Sequence, residues 1–87
     1  MSLRWTPLRH KILSEVEAGR YSVYVGFLWN LRHEDGQWVR SDVCRTLRTS
    51  GFVGPEHLAV GREQRARLTD AGRAALAAWT AQHGKPT

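Results

Sequence analysis

"RARLTDAGRAALAAW", Arg65–Trp79, is the stretch on which the reading of this chain turns. Arg65 and Arg67 alternate with Ala66 and Leu68, so a strand here carries its two arginines on one face and its apolar residues on the other. Thr69 then has the hydroxyl that a helix start needs to hold its free amides. Ala71, Ala75, Leu76 and Trp79 follow as the packing face of a helix over about residues 70 to 82, and Gly72 permits close approach of a neighbour. A basic strand thus runs directly into a small-residue helix.

Working backwards, Ser41-Asp42 reads as the start of a short helix, with Ser41 as cap and Asp42 at the positive end of the helix dipole. Val43 and Leu47 face inward, and Ser50-Gly51 ends the helix near residue 50. Phe52-Val53 begins a strand that Gly54-Pro55 turns. Leu58 to Val60 and Arg65 to Leu68 are expected to be two strands around "GREQ".

At the other end, Thr6 caps and Pro7 presets a first helix over about 7 to 18. Leu8, Ile12, Leu13 and Val16 give it an apolar stripe, and Gly19 closes it. "YSVYVGFLWNL" is ambiguous. Val23, Val25, Phe27, Trp29 and Leu31 alternate as in a strand, whereas Tyr24, Leu28 and Leu31 also fit a helix stripe. The β-branched and aromatic content favours the strand. Asp35-Gly36 is a tight-turn signal, which predicts a hairpin of about 21 to 31 paired with 37 to 40. The order helix, hairpin, helix, hairpin, helix makes a single α+β domain over residues 1 to 87, with a core of about 6 to 82 and a short tail at 83 to 87.

The bulk numbers agree. Eighty-seven residues, 41% hydrophobic and 24% charged, suit one folded domain. The net charge is +5, and 11 of the 13 basic residues are arginine. Arginine meets phosphates and guanine edges with a planar fork that lysine lacks. Cys44 is the single cysteine, which rules out an intrachain disulfide. The amino-terminal stretch, broken by charges and a proline, reads as neither signal peptide nor membrane span, so a cytoplasmic protein is expected.

"DVCRTLRTSGFV…RARLTDAGRAALAAW" resembles the second half of a winged helix-turn-helix domain of the MarR-like and PadR-like kind, and "TPLRHKILSEVEAG" resembles the opening helix of such domains. The resemblance rests on the "SGFV" step after a recognition helix and on "LT-x-x-G-R", here Leu68-Thr69-Asp70-Ala71-Gly72-Arg73. It implies a winged-helix-like fold whose second hairpin is a wing. Two features depart from that pattern. The family's second helix is replaced by the 21 to 40 hairpin, and its long dimerisation helices are absent. The chain is then a monomer, or a homodimer through an exposed apolar face.

On the helix at 42 to 50, a 100° step per residue turns Arg45, Arg48 and Thr49 outward. Arginine reads guanine and threonine meets a phosphate or a thymine methyl, so this face suits a major groove. Ser41 and the first amides of the helix offer a phosphate site, against the charge of Asp42. Arg62, Arg65 and Arg67 lie on or beside the second hairpin, where the resemblance implies contact with backbone or minor groove. An equal reading is a charged edge strand that resists aggregation. Arg73 reads as a phosphate contact or a surface pair.

No catalytic set emerges: Glu15 and Glu17 diverge on their helix, and no serine has a placeable histidine partner. His33, Glu34 and Asp35 sit together in a turn but do not converge on an ion, and no metal, cofactor or small-molecule ligand is expected. Cys44 reads as an apolar filler. Trp29, Trp38 and Trp79 fit core positions, and Trp5 packs back on the first helix. The function expected is non-catalytic, sequence-specific binding of double-stranded DNA by a small transcriptional regulator or accessory protein, of the stand-alone kind frequent on phages and mobile elements. The alternative is a winged-helix protein-interaction module that does not bind DNA, for which an exposed Trp5 or Trp38 would speak.

Overall fold

Thr6 and Pro7 start the first helix as their chemistry requires: the Thr6 hydroxyl accepts from the Arg9 amide at 3.1 Å, and Pro7 takes the first helical position. The computed structural model describes residues 3–25, 29–55 and 63–85. Its elements in chain order are α1 (Pro7–Glu17), β1 (Tyr21–Val25), β2 (Trp29–His33), α2 (Ser41–Thr49), β3 (Val53–Pro55), β4 (Glu63–Leu68) and α3 (Asp70–His83). The described residues make an α+β fold of three helices and one four-stranded antiparallel sheet, in the order β2-β1-β4-β3.

Both α1 and α2 end on a glycine in the left-handed region, Gly19 at φ 81° and Gly51 at φ 76°. In each case the next amide reaches back to close the last turn, Arg20 to the Glu15 carbonyl at 2.9 Å and Phe52 to the Leu47 carbonyl at 3.2 Å. That is the terminator glycine makes cheap, because no Cβ opposes the positive φ.

The first hairpin is shorter than expected. β1 pairs with β2 from Tyr21↔His33 to Val25↔Trp29, so both strands lie inside the apolar run and the partner is not 37 to 40. Asp35-Gly36 does turn the chain: Gly36 sits at φ 93° and its amide donates to the His33 carbonyl at 2.8 Å. The turn leads only to a single bridge, Arg32↔Trp38, made by the His33 amide donating to the Gln37 carbonyl at 2.8 Å and the Val39 amide donating to the Leu31 carbonyl at 2.9 Å. The next group on that edge of β2, the Leu31 amide, donates instead to Cys44 Sγ at 3.4 Å. Gly54 and Pro55 do not turn the second hairpin but belong to β3 and pair with β4. β4 starts at Glu63, and the expected strand at 58 to 60 lies outside the described residues.

All three helices pack on one face of the sheet. Ile12, Leu13 and Val16 of α1, Cys44 and Leu47 of α2, and Trp79 of α3 are buried there with Tyr21, Val23, Leu31, Val53, Ala66 and Leu68. Leu8 departs from its expected stripe and is 52% exposed, and Ala71 is exposed too. The buried position on α1 that the apolar pattern hides is His10, 2% exposed. Its Nδ1 accepts from Trp5 Nε1 at 3.1 Å, and its Nε2 meets Thr80 Oγ1 of α3 at 3.1 Å, so the ring is satisfied as a neutral tautomer. Trp5 folds back as expected and stacks on His83, with centroids 3.8 Å apart. No described helix is long and apolar enough to cross a membrane.

The junction between α2 and α3 explains the "SGFV" and "LT-x-x-G" elements in physical terms. Thr69 is the N-cap of α3: its hydroxyl accepts from the Gly72 amide at 3.1 Å and donates to the Gly51 carbonyl. The Thr69 amide donates to the Phe52 carbonyl at 3.0 Å. Gly72 is buried against that same carbonyl, and a Cβ there would run into it. The end of one helix and the start of the other are thereby clamped through residues 51, 52, 69 and 72.

Candidate nucleic-acid interface

The arginines singled out in the sequence divide between two surfaces. Arg45, Arg48 and Thr49 lie on the solvent side of α2, with Cys44 and Leu47 buried beneath them. Arg45 and Arg48 are three residues apart, one turn of helix, so they stand on one face. Among the described residues neither guanidinium has a hydrogen-bond or ion-pair partner. Thr49 is exposed but turns its hydroxyl onto its own helix, donating to the Arg45 carbonyl at 2.6 Å. Its oxygen keeps acceptor capacity only, which suits a base amine better than a phosphate.

Ser41 is exposed in the first turn but is not the cap. Arg40 occupies the N-cap position without a side-chain cap, and its guanidinium pairs with Asp42 at 3.2 Å. The chain enters α2 from extended backbone at Arg40, which places Ser41 one residue too far along to cap. Asp42 occupies the positive end of the helix, so the start of α2 already holds a negative charge.

Arg65 and Arg67 share one face of β4, as their spacing requires, while Ala66 and Leu68 point into the core. Since the helices cover the Ala66 side, the two arginines point to the opposite face of the sheet. The Arg65 guanidinium reaches back over Gly19 at the end of α1. Arg62 lies outside the described residues. Arg73 is engaged locally: it donates to the Leu68 carbonyl at 3.2 Å and pairs with Asp70 at 2.5 Å. Of the two roles expected of it, a phosphate contact or a surface pair, the pair is the one present, with Asp70.

A third feature was not legible as a site. A groove of about 370 Å³ runs between α1 and the segment 33 to 43, lined by Leu8, Ile12, Glu15, Trp38, Val39 and Val43 among others. Within it His33 Nε2 lies 3.2 Å from Glu15, and its Nδ1 accepts from the Asp35 amide at 3.2 Å. Tyr21, edge-on to His33, has its hydroxyl pushed up to about 12 by burial and by the nearby carboxylates of Glu15 and Asp35. The Asp35 carboxyl is held low by the Gln37 amide, which donates to it at 2.8 Å. Trp38 is not a core residue but 56% exposed, with the Arg32 guanidinium 5.7 Å over its ring. An indole placed beside a hairpin turn is amphipathic, and its burial was set by which strand β2 chose as partner. Trp79 is buried as expected, and the Trp29 side chain lies outside the description.

No protein-family model, curated protein or solved structure matches the chain.

Proposed function

We propose that this domain binds double-stranded DNA without catalysis, through the solvent face of α2. The observation that carries the reading is the pair Arg45 and Arg48: two exposed cations one turn apart, without acidic partners among the described residues, on a helix fixed at its base. Rigid mounting matters because a base-reading contact needs its side chain aimed, and the clamp from Gly51 to Thr69 holds the end of α2. The arrangement of α2, the antiparallel pair β3–β4 and a closing α3 supports a winged-helix-like reading, in which α2 is the recognition helix. It departs from that pattern in having, among the described residues, no further helix between α1 and α2, where β1, β2 and the 33 to 37 turn stand instead. Such a domain would act as a small regulator or accessory DNA-binding protein. A mobility-shift selection from a pool of random duplexes tests this: wild type should enrich a common site, and Arg45→Ala/Arg48→Ala should enrich none.

A protein-interaction module is the second reading, and the groove favours it. Leu8 and Trp38 are large apolar side chains in the open beside it, and Arg20 and Arg32 are paired with Glu34 and Glu63 at 3.8 Å and 3.7 Å. On this reading the arginines serve to shape a polar rim around Trp38.

A further inference from the structure

The sheet face turned away from the helices has a composition of its own. The register places Asn30 and Arg32 of β2, Ser22 and Tyr24 of β1, and Glu63 and Arg65 of β4 in two adjacent rows on that face. Arg67 follows along β4, opposite Gly54, which adds no side chain to cover it. Trp38, bridged to Arg32, stands at the β2 edge of the same face. Tyr24 lies on an interior strand, where a large ring is normally covered, yet it is 40% exposed. None of the described helices packs on this side.

We infer that this face is a second nucleic-acid site, one that takes an unpaired polynucleotide strand rather than a duplex. The chemistry is that of a stacking platform. Tyr24 offers a ring in the middle of the sheet, and Trp38 under Arg32 offers a stacked edge. Among the described residues of this face Arg32 and Arg65 stand with Glu63, and Arg67 follows them along β4. Bases stack on exposed aromatic rings whatever their sequence, and arginines beside the rings meet the phosphates between them. A duplex cannot use such a site, because its bases are already stacked and its rings face inward. Four strands span about 14 Å, which is room for two or three nucleotides. Among the described residues of this face Glu63 is the repulsive group, and its exposed ion pair with Arg32 is weak enough to yield to a phosphate.

The proposal does not depend on α2, and the test separates the two surfaces. Fluorescence anisotropy would follow labelled oligo-dT and oligo-U of roughly ten nucleotides, an abasic strand of the same length, and a duplex. Wild type should bind at least one of the two base-bearing strands about tenfold or more tightly than the abasic strand. Tyr24→Leu, which keeps an apolar strand residue, should weaken strand binding about fivefold or more and leave duplex binding unchanged. Glu63→Gln should tighten strand binding, a gain that unfolding cannot mimic. Arg45→Ala/Arg48→Ala should lose duplex and keep the strand. Equal affinity for the abasic strand, indifference to Tyr24→Leu, or no binding of either base-bearing strand at low salt would overturn the proposal, whatever the duplex does.

Discussion

The Gly72 Cα stands against the Phe52 carbonyl, with no room for a Cβ between them. Helix α3 can therefore begin only where a glycine follows the Thr69 cap by three residues, and that junction sets the angle between α2 and the closing helix. Gly72→Ala is expected to destabilise the domain by about 2 kcal/mol or more, since overpacking there presses on backbone that is already hydrogen-bonded. Thr69→Ala, which removes the cap and the bond to Gly51, should cost about 1–2 kcal/mol. Urea denaturation of the two variants checks both, and the double variant should lose less than the sum, because one clamp is broken twice.

His10 gives the fold a pH dependence. Burial, followed by the nearby His83, lowers its pKa from 6.5. The unfolded chain therefore binds a proton on this ring more readily than the folded one. Stability from His10 is complete above about 6.5, falls as pH drops through that value, and levels off below the folded pKa. Protonation also puts a hydrogen on Nδ1, where the Trp5 indole already donates. His10→Gln should be less stable at pH 8 by about 1 kcal/mol and should show a smaller fall between pH 7 and pH 5 than wild type. Denaturant midpoints across that range, as a difference between the two proteins, isolate His10 from the other histidines.

Those two sites show what was readable in the chain. The Thr6 and Thr69 caps, the terminating glycines and the alternation of 65 to 68 are local chemistry, and each forms where the residue types place it, whereas the cap expected at Ser41 does not form because Arg40 holds that position. The first hairpin was misplaced because Tyr21–Val25 and Trp29–His33 lie within one apolar run, while the clear turn signal at Asp35-Gly36 belongs to a later and smaller reversal. His10 could not be read as buried because its partner Thr80 is 70 residues away. The arginines of α2 and β4 were legible as residue types and faces. That they point to different sides of the molecule follows from the pairing of β1 with β4, which no short-range pattern signals.

Cys44 should behave as a structural thiol. It is buried, burial raises its pKa, and its sulfur caps the Leu31 amide at the open edge of β2. A disulfide reagent should modify it in the native protein no faster than the domain opens, and at once in urea. Cys44→Ser should keep the Leu31 contact, whereas Cys44→Val leaves that amide without an acceptor and should be the less stable of the two by about 1 kcal/mol or more.

The most direct test of the central claim is the salt dependence of duplex binding by anisotropy, for wild type and for Arg45→Ala/Arg48→Ala. Each phosphate contact adds about one to the slope of log affinity against log salt. The account predicts tight, salt-sensitive binding at low salt that the double variant weakens about tenfold or more while keeping most of the slope, because Arg45 and Arg48 read bases. Wild-type affinity in the double variant, or no duplex binding at low salt, would contradict it.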